Sequence, residues 1–238
     1  MPQSRVCTDC GDSYTHEPMI LGDTDMLDHI TICDTCTEKI ELQAQQTKRE
    51  TKARNQWEES VPKEYRQTVC THPGYMRHMA VHRLSMSWLK GDHIGQDERR
   101  LMLGLIGESG RCKTRVISQV AKRIIWEGGS VLWLNSSRFQ WACQHQFSDT
   151  DGKEASMWLK TYRNASCLVF DDIGSLKSTE TVSDNLYALL EHRTAHGLPM
   201  LWTSNETIDE MLAGKGLTEK ARKRNISRLA GYSNILEL

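Results

Sequence analysis

The sequence has no long apolar run. The longest, Leu101-Met102-Leu103-Gly104-Leu105-Ile106, falls far short of the roughly 20 apolar residues that a bilayer-crossing helix needs. No membrane span and no membrane partner is expected. The N-terminus, Met1-Pro2-Gln3-Ser4-Arg5, lacks the apolar centre of a secretory signal and meets a cysteine pair at once, so a cytoplasmic location is expected. An excess of charge of one sign is missing too. A formal net charge of -1 excludes a whole-molecule electrostatic grip on nucleic acid and leaves only local basic patches as contacts.

Eight cysteines are present in the 238 residues. A chain of this length holds one full-sized core and a small accessory module, since single domains usually run to about 100–200 residues. Cytosolic thiols are held reduced, so paired cysteines there favour metal or redox chemistry over structural disulfides. Cys7-Thr8-Asp9-Cys10-Gly11 and Cys33-Asp34-Thr35-Cys36 form two CxxC pairs on either side of a polar loop, the arrangement from which four thiolates close tetrahedrally around Zn²⁺. Gly11 permits the left-handed turn such a knuckle needs, and the metal replaces a core too small to fold alone. Cys7, Cys10, Cys33 and Cys36 are the expected zinc ligands. The alternative is two redox pairs or disulfides. His16 and His29 lie between the pairs, but a complete Cys₄ set leaves them without a ligand role.

Residues Thr37 to Ser60 are rich in Glu, Gln, Lys, Arg and Ala and read as an exposed connecting helix that Val61-Pro62 ends. Lys48, Arg49, Lys52 and Arg54 on it are a solvated face first and a phosphate-backbone or acidic-partner contact second. Residues 1–36 are thus expected to be the zinc-binding module, 37–73 a helical linker and lead-in, and 74–238 the main domain.

From Arg100 onward, apolar strands alternate with amphipathic helices, which reads as a mostly parallel sheet covered by helices. The first strand runs into Gly107-Glu108-Ser109-Gly110-Arg111-Cys112-Lys113-Thr114 and then a helix, the strand, loop, helix context of a phosphate-binding loop. Backbone N–H groups and the helix N-terminus would cradle phosphates, Lys113 would neutralise the β- and γ-phosphates of ATP, and the Thr114 hydroxyl would bind Mg²⁺. The usual glycine before the lysine is Cys112, whose side chain obstructs the close backbone approach glycine allows. A degenerate, non-hydrolysing site is the competing reading. Cys167-Leu168-Val169-Phe170-Asp171-Asp172 is an apolar strand ending in two carboxylates: Asp171 is placed to hold Mg²⁺ through water and Asp172 to orient or deprotonate the attacking water. The next strand, Leu198 to Thr203, ends in Ser204-Asn205, whose amide suits a bond to that water or the γ-phosphate. Lys220, Arg222, Lys223, Arg224 and Arg228 form a late basic segment, either a surface patch or the source of an arginine for a neighbouring subunit's nucleotide.

In order and spacing, Gly107 to Thr114, Leu168 to Gly174, Thr203-Ser204-Asn205 and Ser227-Arg228-Leu229 resemble the AAA+ ATPases of the DnaC/DnaI helicase-loader and IstB group. The resemblance covers about the C-terminal two-thirds. It implies an α/β P-loop AAA+ core, with Asn205 at the sensor I position and Arg228 as an arginine finger acting in trans, so that ATP glues subunits together. Ser60-Val61-Pro62-Lys63-Glu64-Tyr65-Arg66 looks like the lead-in of these proteins, and a zinc-ribbon-like module ahead of the core is similar to the DnaI layout. Only ten residues follow Arg228, too few for a helical C-terminal lid, so no sensor II arginine is expected. The partners implied are a replicative DnaB-type helicase, gripped by the N-terminal module, and single-stranded DNA. The alternatives are an IstB-like transposition helper and a zinc-ribbon adaptor that does not hydrolyse ATP. Trp133, Trp141, Trp158 and Trp202 are read as core rather than as base-stacking residues.

Overall fold

The computed structural model describes the chain except residues 1–2, 18–19, 22–23, 26–30, 69–72, 77, 91–100, 178 and 214–218, which places His29 outside the described residues. Residues 1–52 and 53–238 form two compact units. In the first, β1 (Gln3–Val6) pairs antiparallel with β2 (Ser13–His16), and β3 (Ile20–Leu21) with β4 (Thr24–Asp25). Two-stranded ribbons bury too little apolar surface to be stable alone. Among the described residues of this unit the buried side chains are thiols: Cys7, Cys33 and Cys36, with Tyr14 and Ile32 packed against them. Helix α1 (Asp34–Ser60) follows, and every residue from Thr37 to Lys52 is exposed. The division between the units falls within this helix, after Lys52.

The second unit takes in the end of α1, then α2 (Lys63–Arg66), α3 (Pro73–Met76), α4 (Met79–Leu89), β5 (Met102–Ile106), α5 (Lys113–Trp126), β6 (Val131–Asn135), α6 (Ser136–His145), α7 (Gly152–Asn164), β7 (Cys167–Asp171), a 3₁₀ turn (Ile173–Ser175), α8 (Glu180–Ala195), β8 (Met200–Ser204), α9 (Ile208–Ala213), α10 (Glu219–Gly231) and β9 (Ser233–Glu237). The five strands form one parallel sheet in the order β6-β7-β8-β5-β9. A parallel sheet needs cover on both faces, because its crossovers put helices there. Strand side chains alternate between faces, and the alternation is visible here. Met102, Leu168, Phe170, Met200 and Trp202 face a core shared with α6, α7, α8 and α10. Leu103, Leu105, Val169 and Leu201 face another, with α5, α4, the Ala53 and Trp57 end of α1, and Val61 just after it.

Gly104 is required by packing, since a Cβ there would stand 2.2 Å from the Trp202 ring. That ring is fully buried and its Nε1 donates to Ser233 Oγ at 2.9 Å, so Trp202 is core. Trp133, Trp141 and Trp158 are half-buried against the two cores. Arg193, completely buried, donates from Nη1 to the carbonyls of Tyr162 (3.1 Å), Arg163 (3.3 Å) and Ala165 (2.9 Å) and from Nη2 to that of Pro199. It thereby ties the turns that feed β7 and β8, and burial lowers its pKa to about 10. Strand β9 was not foreseen in the sequence. It pairs in register with β5, Met102 opposite Ser233 and Ile106 opposite Glu237, and sets the edge of the sheet.

The functional edge follows from this topology. β5 and β8 are neighbours, yet α5 covers one face and α9 and α10 lie toward the other, so a crevice opens at their carboxyl ends.

Candidate functional site

The loop after β5 turns its backbone inward because three of its residues take positive φ: Gly107 (142°), Gly110 (82°) and Cys112 (61°). Successive N–H groups in such a run form an anion-binding nest. Each position has its own reason. A Cβ on Gly107 would meet the Leu238 carbonyl at 2.3 Å, whereas one on Gly110 would meet nothing within 4 Å, the open side from which a ligand approaches. No side chain caps the start of α5, which leaves its first N–H groups for an anion.

Cys112 departs from the usual loop pattern in its backbone as well as in its side chain. Its left-handed backbone (φ 61°, ψ 18°) is one that a residue with a Cβ occupies at a cost of about 1–2 kcal/mol. The burden is therefore conformational as well as steric. Cys112→Gly removes that strain and adds back some unfolded-chain entropy. A net gain of up to about 1 kcal/mol is expected, seen as a rise of roughly 2–4 °C in Tm, together with tighter nucleotide binding. An unchanged Tm and affinity would show that the left-handed loop carries no strain.

Lys113, nearly buried, donates from Nζ to three acceptors: the Gly107 carbonyl (2.6 Å), the Glu108 carbonyl (2.8 Å) and Asn205 Oδ1 (2.8 Å). Burial lowers its pKa, and the charges of Asp172 and Asp171 oppose that shift. Asn205 in turn donates from Nδ2 to Asp172 Oδ1 at 3.0 Å. Its orientation is unambiguous, because an ammonium only donates and a carboxylate only accepts. At the end of β7, Asp171 Oδ1 accepts from Thr114 Oγ1 (2.9 Å) and Thr203 Oγ1 (2.7 Å). The Asp172 N–H closes the cluster by donating to Thr203 Oγ1 at 2.7 Å. Burial raises the Asp171 pKa against the pull of those two hydroxyls. A carboxylate so poorly solvated, beside a threonine hydroxyl, fits a hard cation, which takes oxygen donors. Asp172 itself sits at φ 59°, ψ 49°, a backbone strain of the sort found at functional positions.

These residues line one cleft of about 430 Å³: Ser109 to Arg115, Asp171, Asp172, Thr203, Asn205 and, from the lead-in, Tyr65. Glu108, the residue before this lining in the loop, is exposed and paired with Arg111 at 3.0 Å. Thr203, Tyr65 and Arg115 were not assigned site roles in the sequence. Thr203 was legible as the residue two before Asn205 on the same strand. Tyr65 and Arg115 carried no local signal.

Arg228 is not among the cleft-lining residues. It lies on α10, pairs through Nε with Glu191 Oε2 at 2.9 Å, and is half-exposed. Arg224 pairs with Asp184 at 2.7 Å and Lys223 with Glu219, so much of the late basic segment is neutralised by its own acidic neighbours.

In the first unit the sulfurs of Cys7, Cys10, Cys33 and Cys36 all lie within 4.8 Å of one another. Cys10 Sγ and Cys33 Sγ are 3.8 Å apart. That is far beyond a disulfide length, and it matches the edge of a tetrahedron of thiolates at the usual zinc–sulfur distance of about 2.3 Å. The donor set fits zinc. Gly11 takes the left-handed turn (φ 77°), and the Gly11 N–H donates to the Cys7 carbonyl at 3.0 Å. The Cys33 N–H donates to Cys7 Sγ at 3.4 Å. Backbone N–H groups of Cys10 and then Cys33 lower the Cys7 pKa to about 6, while burial raises that of Cys36.

The five-stranded parallel sheet, the nest at the carboxyl end of β5 and the acidic end of β7 make an α/β fold of the P-loop type. The particular fold is DnaC/DnaI-like. It is similar to the crystal structure of DnaI (18% identity, TM-score 0.58), covering 74% of this chain and 94% of that one. The crystal structure of the DnaC helicase loader is similar as well (15% identity, TM-score 0.52, 71% of this chain and 92% of that one). AMPPCP-bound DnaA from Aquifex aeolicus shares the fold at 14% identity and a TM-score of 0.55, over 75% of this chain but 51% of that one. No family model matches the sequence, and no curated protein does.

Proposed function

We propose that this chain is a cytoplasmic, ATP-hydrolysing loader of a replicative DnaB-type helicase onto single-stranded DNA. The observation that carries the reading is the Lys113–Asn205–Asp172 chain of hydrogen bonds, which joins the phosphate loop to the carboxyl ends of β7 and β8 across one cleft. A triphosphate entering there meets the loop N–H groups and draws Lys113 Nζ away from the Gly107 and Glu108 carbonyls toward its β- and γ-oxygens. Thr114 and Asp171 would hold Mg²⁺, which supplies charge neutralisation along the phosphates. Asn205 then bridges the γ-phosphate and the attacking water, and Asp172 takes that water's proton as the γ-phosphoryl group leaves the β-phosphate. Arg228 of a neighbouring subunit completes the site in trans once Glu191 releases it, so that ATP holds an assembly together and hydrolysis loosens it. Cys7, Cys10, Cys33 and Cys36 hold zinc, and the module of residues 1–36 grips the helicase. Residues 37–73 serve as linker and lead-in, and 74–238 as the ATPase core.

The AAA+ fold and its likeness to the DnaC helicase loader support this reading. The test is co-sedimentation of the purified chain with a DnaB-type hexamer in ATP and in ADP. Retention that is stronger in ATP is expected, and no retention in either nucleotide overturns the loader assignment. Asp172→Asn tests the chemistry separately: asparagine tolerates the left-handed backbone, so ATP still binds while turnover falls by about 10²–10⁴-fold. Turnover that matches the unaltered protein would remove Asp172 from the mechanism.

A further inference from the structure

Among the described residues, Tyr65 is the one cleft residue contributed from outside the β5-to-β9 core, and nothing in the loop and strand motifs calls for it. It sits on α2, a single helical turn braced from both sides. The Tyr65 N–H donates to the Pro62 carbonyl at 3.0 Å, and Arg66 Nε donates to the Val61 carbonyl at 2.6 Å. Val61 itself is buried with the end of α1. The phenol ring lies nearly parallel to Trp133, with centroids 6.0 Å apart and planes at 20°, and the Arg115 guanidinium lies 5.9 Å from the ring centre. Arg115 also donates to Thr68 Oγ1 at 3.3 Å, and Gln119 to the Thr68 carbonyl at 3.1 Å, so the segment after α2 is pinned to α5. The ring is therefore positioned by two side chains. Its hydroxyl lies beside the side chains of Thr114 and Glu64 and feels the carboxylates of Asp171 and Glu64. Stacking fixes the ring and leaves the polar tip in the cleft at the cation end of the phosphate loop.

We propose that Tyr65 is a positioning residue for the bound triphosphate and its cation: its hydroxyl donates to an oxygen of that complex and draws α2 down on the cleft. This rests on the ATP reading above. The lead-in thereby becomes nucleotide-responsive. The hydroxyl stands at the Thr114 and Asp171 side of the cleft, where an oxygen of the complex can accept from it. With the complex in place it gains a charge-assisted bond, and the segment from Val61 to Thr68, continuous with α1, is locked to the phosphate loop.

Tyr65→Phe removes the hydroxyl and keeps the ring on Trp133 and under Arg115. Affinity for ATP is to be measured with Mg²⁺ and with EDTA, alongside amide hydrogen exchange in the full-length protein. In the unaltered protein, Mg²⁺–ATP should slow exchange across residues 108–114 and also across 62–68. In Tyr65→Phe, protection of 108–114 should persist at saturating nucleotide, protection of 62–68 should be lost, and affinity in Mg²⁺ should fall about tenfold, with little change in EDTA. Tyr65→Phe that protects 62–68 and binds Mg²⁺–ATP as the unaltered protein does overturns the proposal while leaving the ATP site standing. Absence of protection at 108–114 in the unaltered protein overturns both. A merely structural role would lower Tm and affinity equally with and without Mg²⁺, which also counts against the proposal.

Discussion

Lys113→Ala should weaken Mg²⁺–ATP binding by at least about a hundredfold and abolish turnover. The ammonium now satisfies two loop carbonyls and the Asn205 amide, and the same three donors are the ones a triphosphate would recruit. Two charge-assisted bonds to phosphate oxygens, at about 1.5–3 kcal/mol each, set the scale of the loss. The fold should survive. Removing the side chain also removes the burial that depresses the Lys113 pKa, and Asn205, one of the acceptors it leaves, lines an open cleft where water replaces it. A fluorescent ATP analogue measures the affinity, and thermal unfolding verifies the fold. Binding that persists within threefold in Lys113→Ala would show that the cleft recognises something other than a triphosphate.

The second large effect belongs to the sulfur cluster. Cys33→Ser should eliminate bound zinc and unfold the β1–β2 ribbon. Its reach should end there, since residues 53–238 carry their own two cores. A structural zinc site is worth on the order of 10–16 kcal/mol of folding free energy. The ribbon it would replace offers little besides three buried cysteines with Tyr14 and Ile32 against them. Metal analysis should fall from one zinc per chain to almost none, and exchange of the Gln3–Val6 amides should become as fast as in an unfolded chain, with ATP affinity unchanged. A ribbon that stays protected without metal would mean that thiol packing alone folds the module.

Much of this was legible in the sequence, for particular reasons. The loop from Gly107 to Thr114 announces itself because nest, lysine and hydroxyl are consecutive in the chain. The strand ending in Asp171 and Asp172 is a continuous apolar run, as both-face burial demands. The four clustered cysteines come in two close pairs. What stayed hidden depends on distance along the chain. Strand β9 has only five residues, Ser233–Glu237, and its identity comes from pairing with β5, some 130 positions earlier. Tyr65 lies 49 positions before Thr114 in the chain, and no local pattern encodes their approach. Gly104 reads as a weak point in a strand until the Trp202 ring is seen against it. Cys112 is the intermediate case. The missing glycine was visible, but its meaning, a left-handed residue that bears a Cβ, needed the backbone angles. The late basic segment reads in the sequence either as a surface patch or as the source of an arginine for a neighbouring subunit, and its partners Asp184, Glu191 and Glu219, from beyond or within the same helix, emerge only in the fold.

The central claim is that the cleft between β5 and β8 binds a nucleoside triphosphate with its cation. Isothermal titration of ATP and Mg²⁺ into the unaltered full-length protein tests it most directly. One saturable site per chain is predicted, with inorganic phosphate a far weaker competitor than ADP. A flat titration at millimolar nucleotide, from protein shown to be folded by its thermal transition, would contradict it.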